Sequence, residues 1–103
     1  MIRKTFVMRV KPGALAEYKR QHDAIWPELV DEIRACGIRR FTTVVDGESL
    51  VLFSEIETED AWDKLWNSDV HRRWAEVMDP LMAIRPDGIV DSRPAEEIFH
   101  LET

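Results

Sequence analysis

The sequence predicts an α+β fold, an antiparallel sheet with helices packed on one face. Three observations predict it: two stretches of helical period alternate with β-rich runs, an Asp-Gly pair lies between the two central runs, and strand-like residues occupy both ends of the chain.

Each element has its own signal. Residues 3–11 alternate in part, with Phe6, Met8 and Val10 on one face, and Pro12-Gly13 ends that strand. From Ala14 the period changes: Leu15, Tyr18, His22, Ile25 and Leu29 recur at steps of three and four, one face of a helix. Pro27 interrupts this face, because proline donates no hydrogen bond and its ring clashes with the carbonyl of Asp23. Two helical pieces meeting near Trp26 are expected, with Gly37 as terminator. Strands follow at about 38–46 and 49–57, joined around Asp46-Gly47-Glu48. Leu50-Val51-Leu52-Phe53 is apolar on both faces, which predicts a central strand. Thr58 is the expected N-cap of a short helix bearing Trp62, Leu65 and Trp66 on one face. Ser68 or Asp69 can cap another, striped by Val70, Trp74, Val77, Met78 and Leu81 and ended or kinked by Pro80. Residues 84–94 read as a loop, free to close over a pocket or to pack against a second subunit. Glu97 to Leu101 reads as a last short strand.

The order β, α, β, β, α, β is the ferredoxin-like split βαβ arrangement. The 103 residues fit a single domain spanning 1–103, large enough to fold without disulfide or metal staples. One sheet face is left uncovered and the 50–53 run is apolar on both sides. Sheet faces are therefore expected to meet in a homodimer of the dimeric α/β barrel type.

Composition excludes several functions. Fourteen Lys plus Arg against 20 Asp plus Glu give a net charge of −6, without the basic footprint that nucleic-acid binding needs. No apolar run is long enough to cross a bilayer, and the N-terminus runs straight into a strand-like pattern rather than a signal segment. A single cysteine, Cys36, suits a reducing compartment, so the expected location is cytoplasmic.

His22, His71 and His100 lack metal-ligand spacing, and one cysteine cannot complete a zinc site with them. No phosphate loop, nucleophile elbow or dinucleotide fingerprint is present. His22 lies on the inward stripe with Tyr18 one turn before it. Two polar tips on an inward face are either core residues bonded to each other and to backbone, or parts of a pocket. Spacing leaves both readings open. Trp74 lies on an apolar stripe and is open to the same two readings. Four tryptophans, Trp26, Trp62, Trp66 and Trp74, suit aromatic faces for a sugar ring as well as a core. Arg72-Arg73 reads as a solvated face, His71 as exposed among charges, and His100 as a structural strand histidine.

The residues that remain carry a resemblance. Met1 to Met8, the block Tyr18-x-x-x-His22-x-x-x-Trp26-Pro27-Glu28-Leu29, Phe53, Asp69-Val70, Arg73-Trp74, Met78, Pro86-Asp87 and Glu97 to Leu101 closely resemble the L-rhamnose mutarotase family over essentially the whole chain. The resemblance implies a dimeric ferredoxin-like isomerase of carbohydrate (rhamnose) metabolism that needs no metal and no cofactor. Its reaction interconverts the α and β anomers of a 6-deoxy-hexose. It implies His22 as proton donor, and Tyr18, Trp74 and the position of Phe41 as sugar contacts. This chain departs from the family pattern at Phe41, where the family has tyrosine, and at Ala75, where it has a second tryptophan. Gly88-Ile89-Val90 is also more apolar than the family's loop. L-fucose or a related aldose is therefore an alternative substrate. Readings in other classes are a sugar-binding protein without catalysis and a small ferredoxin-like monooxygenase.

Overall fold

Pro27 stands at the first position of a helix rather than inside one, where its fixed φ and missing N–H cost nothing. In the computed structural model, which describes Met1–Thr103, the split helical region is α1 (Leu15–Asp23) and α2 (Pro27–Ala35). Trp26 between them is extended, as a residue preceding proline should be. The other elements are β1 (Ile2–Arg9), β2 (Ile38–Asp46), β3 (Ser49–Ile56), α3 (Ala61–Trp66), α4 (Asp69–Met78), a 3-10 turn at Asp79–Leu81 and β4 (Ser92–Ala95). All pairings are antiparallel, in the order β2-β3-β1-β4. This is the ferredoxin-like α+β fold.

β3 is central, as its two-sided apolar run requires. Leu50, Leu52, Ser54 and Ile56 are buried under the helices, and Val51 and Phe53 point to the other face. Across from them lie Phe6 and Met8 of β1 on the helix side and Val7 and Thr5 on the open side. The open face carries Val7, Val44, Val51 and Phe53 without a helix over them. Phe53 is 48% exposed and Val44 46%.

Two joints fix the cavity wall. Gly37 leaves α2 at φ +89°, and a Cβ there would stand 3.2 Å from Glu57 Oε2; only glycine takes that conformation cheaply. A bulge follows, because Ile38 pairs with Ile56 while Arg40 pairs with Glu55. Ile38 and Phe41 are three residues apart, an odd spacing that regular pleating places on opposite faces. The extra residue, Arg39, brings both to the helix side and sends its own guanidinium to Glu57 at 2.6 Å.

Two expectations are corrected. Asp60 rather than Thr58 is the N-cap of α3, and the Thr58 hydroxyl instead donates to the Asp60 carboxylate at 2.6 Å. The last strand is β4 at Ser92–Ala95, and residues 96–103 form no strand. The free edge of β1 pairs with 92–95 over Thr5–Met8, and Pro94 is tolerated because β4 is an edge strand. Beyond it Glu97 is held by Arg3 at 2.7 Å, while Ile98 and Phe99 stay exposed. Ser68 is the N-cap of α4, its hydroxyl accepting from the His71 N–H at 3.2 Å. No helix is long and apolar enough to cross a membrane.

Candidate active site

A cavity of about 410 Å³ opens between the helix side of the sheet and the helices, within the range of small-ligand pockets. Phe6 and Met8 of β1, Leu52 of β3 and Phe41 of β2 form its sheet wall. Tyr18 and His22 come from α1, Ile25 and Leu29 from the joint with α2 and from α2 itself, and Trp74 and Met78 from α4. Seventeen of its 22 lining residues are hydrophobic, so the few polar groups set what it can recognise.

Helical spacing brings Tyr18 and His22 together. Their rings stack at 4.2 Å between centroids, 25° apart in plane. His22 Nδ1 lies 2.9 Å from the Tyr18 carbonyl oxygen. A carbonyl only accepts, so Nδ1 carries the proton and Nε2 is the nitrogen that titrates. Burial pulls the imidazole below the ordinary histidine range, against the Tyr18 carbonyl and Asp23, which pull it up. His22 is therefore neutral at pH 7, with the Nε2 lone pair free. Tyr18 is buried, and desolvation pushes its phenol up to about 12. It is a neutral hydroxyl at any physiological pH.

Trp74 is buried and meets two aromatic neighbours edge to face: His22 at 5.3 Å and Trp26 at 5.1 Å. Trp26 is covered by the Arg73 guanidinium at 5.7 Å. Arg73 is in turn held by both carboxylate oxygens of Glu28, at 3.2 and 3.1 Å. The indole of Trp62 donates to Ser54 Oγ at 2.9 Å, and Ser54 Oγ donates to the Lys4 carbonyl at 2.9 Å. Phe41, 36% exposed, packs edge-on against Trp62 at 5.0 Å. Of the four tryptophans, Trp62, Trp66 and Trp74 line the cavity. Trp26 serves as the brace behind Trp74.

Ala75, Ile89 and Val90, positions that depart from the family pattern, line the cavity, and so do four residues beyond the expected set: His71 and Asp79, in one helical stripe with Ala75, and Arg85 and Ser92 from the following segment. His71 is thus not the exposed residue that its charged neighbours suggest. It lies at i−3 from Trp74 and i−7 from Met78, both buried, and that spacing is the signal that places it inward. Burial lowers its affinity for a proton, while Asp79 opposes the shift. Arg72, as expected, is a solvated partner of Asp69 at 3.7 Å. His100 is an exposed residue of the tail, 3.2 Å from Glu102, rather than a strand histidine. In the segment 84–94, Arg85 N–H donates to the Ile89 carbonyl at 2.8 Å, and Ile84 bridges Val90, so a tight turn carries these cavity residues. No three His, Cys, Asp or Glu side chains stand together as a metal site needs.

Fold and cavity define a class first: a ferredoxin-like α+β protein with an aromatic cavity of small-ligand size, lined by two imidazoles. Comparison with known proteins narrows it. The family model for L-rhamnose mutarotase matches residues 3–101. The L-rhamnose mutarotase of Shigella flexneri is 39% identical, over 98% of this chain and 99% of its own. The crystal structure of L-rhamnose mutarotase from Formosa agariphila superposes with a TM-score of 0.84 at 28% identity, covering 99% of this chain and all of that one. The chain belongs to the L-rhamnose mutarotase family, a family of isomerases. A putative antibiotic biosynthesis monooxygenase from Nitrosomonas europaea shares the fold alone, at a TM-score of 0.65 and 16% identity over 90% of this chain and 84% of that one.

Proposed function

We propose that this chain, as one domain over residues 1–103, interconverts the α and β anomers of a 6-deoxy-hexose, L-rhamnose foremost, with His22 as the proton-transfer residue. The observation that carries the reading is the 2.9 Å contact between His22 Nδ1 and the Tyr18 carbonyl. It fixes the tautomer and leaves Nε2 as the one titrating atom, beside an aromatic cavity of sugar-ring size. Mutarotation breaks the bond from the anomeric carbon to the ring oxygen and reforms it on the other face. Opening removes a proton from the anomeric hydroxyl and delivers one to the ring oxygen; closing reverses both. A histidine that is neutral at pH 7 accepts the first of these protons and returns it on closure. Trp74 and Phe41 offer apolar surface to the sugar's C–H groups, and the neutral Tyr18 phenol offers a hydrogen bond.

Anomeric proton exchange measured by saturation-transfer NMR tests this. Faster exchange with the protein, lost by about 10²–10⁴-fold in His22→Ala with the fold intact, is the expected result. Full activity in His22→Ala removes His22 from the mechanism. Binding of sugar with no change in exchange rate makes the chain a binder, and a Soret band in the purified protein favours a monooxygenase.

L-fucose or a related aldose is the second reading of substrate, favoured by Phe41 and Ala75, which leave a less polar and roomier wall than the family pattern. The open sheet face, with Val7, Val44, Val51 and Phe53 uncovered, supports a homodimer joined through that face. A monomer by light scattering at micromolar concentration refutes it. The cytoplasm is the proposed location, on the free thiol of Cys36 and the sugar chemistry.

A further inference from the structure

His22 offers the cavity a single nitrogen. With Nδ1–H committed to the Tyr18 carbonyl, Nε2 is either an acceptor or a donor at a given moment and never both. Ring opening needs both transfers, at two oxygens bonded to the same carbon. A second group must therefore serve the other oxygen.

The cavity wall limits the choice. From α1 come His22 and Tyr18, from the 3-10 turn Asp79, and from the segment after it Arg85 and Ser92. Tyr18 is driven to about 12 by burial. Arg85 is committed to Asp87 through two nitrogens, at 3.3 and 2.9 Å. Ser92 is a hydroxyl, and Asp79 is exposed. His71 remains. It is half-buried on α4, one turn before Trp74, whose indole meets the His22 ring edge to face at 5.3 Å. Its backbone N–H is held by Ser68 Oγ at 3.2 Å, and its ring nitrogens make no hydrogen bond to another protein group. Ala75, one turn after it, presents only a methyl group toward the same space.

We infer that His71 is the second proton-transfer group of the reaction, serving the ring oxygen while His22 serves the anomeric hydroxyl. This rests on the mutarotase reading and adds a residue to it. On opening, the bond from the anomeric carbon to the ring oxygen breaks, its electron pair goes to the ring oxygen, and that oxygen takes the proton from His71. The anomeric hydroxyl gives its proton to His22 Nε2 as its oxygen becomes the aldehyde. On closing, the sugar's regenerated hydroxyl attacks the other face of the aldehyde and returns its proton to His71. The aldehyde oxygen takes back the proton held on His22. No proton is gained or lost over the cycle, and the pair carries one between them. Burial disfavours the charged form of His71 that the first step uses, and the nearby Asp79 carboxylate opposes that shift.

The test compares wild type, His71→Gln and, as control, His100→Gln in the tail, by anomeric exchange across pH. Wild type is expected to give a bell-shaped profile, with the acid limb set by His22 and the alkaline limb by His71. His71→Gln is expected to lose about 10²-fold in kcat with KM little changed, and to lose the alkaline limb. His100→Gln is expected to match wild type. Independently of any variant, long-range proton–nitrogen spectra of wild type follow each imidazole as L-rhamnose is added. The titrations of His22 and His71 are expected to move as the sugar binds. Wild-type kcat with both limbs kept in a folded His71→Gln protein overturns this inference and leaves the mutarotase reading standing. So does a His71 titration that the sugar leaves unmoved. No exchange enhancement by wild type overturns both.

Discussion

His22 and Tyr18 are joined twice, once by a hydrogen bond from Nδ1 to the Tyr18 carbonyl at 2.9 Å and once by ring stacking at 4.2 Å. The first contact sets which nitrogen can titrate, and the second sets the plane in which it lies. Tyr18 thus contributes through its backbone and its ring as well as through its hydroxyl. These contributions separate by mutation.

Tyr18→Phe keeps the carbonyl and the stack and removes only the hydroxyl. The expected outcome is a raised KM with kcat and thermal stability near wild type, read by exchange kinetics and melting. Tyr18→Ala removes a buried ring as well, and is expected to destabilise by about 3–5 kcal/mol in denaturant unfolding.

Stability should fall as pH drops through the histidine range. Burial holds both His22 and His71 below their ordinary value of about 6.5. The unfolded chain therefore binds protons that the folded chain refuses. The stabilisation is complete above pH 6.5 and is lost as pH falls from there toward the folded values. Melting temperatures from pH 8 to pH 5 should decline, and a His22→Gln/His71→Gln double variant should flatten the decline. Lower still, Glu17, held at about 2 by its bonds from Arg20 and Gln21, favours the folded state above the ordinary carboxylate range and ceases to do so between about 4.5 and 2.

Ser54 links the sheet to the helix layer by accepting from the Trp62 indole and donating to the Lys4 carbonyl, both at 2.9 Å. Ser54→Ala leaves a buried N–H unpaired. A loss of about 1–3 kcal/mol is expected in urea unfolding, with anomer exchange retained because Ser54 does not line the cavity.

Phe41→Tyr adds a hydroxyl at the cavity wall. The ratio of exchange rates for L-rhamnose over L-fucose is expected to rise by up to about tenfold, the worth of one hydrogen bond of about 1 kcal/mol or slightly more. An unchanged ratio would assign the choice of sugar to Ala75 or to the 84–94 segment.

Much of this architecture was legible because its signals are local. Pro27 and Gly37 act on their own neighbours, the 46–48 turn joins adjacent strands, and the spacing of Tyr18, His22, Ile25 and Leu29 is a property of one helix face. The misses share another cause. Residues 97–101 have a strand's residues, but whether they pair depends on who reaches the β1 edge first, and Ser92–Ala95 occupy it. His71 was masked by Asp69, Arg72 and Arg73, although Trp74 and Met78 already fixed the inward direction of its face. Thr58 carries a cap's chemistry, and its hydroxyl went to Asp60 instead. Family resemblance carried the choice of reaction, which no spacing rule in this chain supplies.

The bulge at Arg39 has a consequence for how the strand tolerates change. The phase of β2 is counted from its hairpin end, where Asp46 pairs with Ser49. Phe41, Thr43 and Val45 keep their orientation from that anchor. An added or deleted residue beside Arg39 is absorbed in the joint with α2 and never reaches the cavity. The same change made to the Gly47-Glu48 turn would be transmitted down the strand and would exchange Phe41 for Arg40 or Thr42 at the wall. One end of β2 is a buffer for length, and the other is its reading frame.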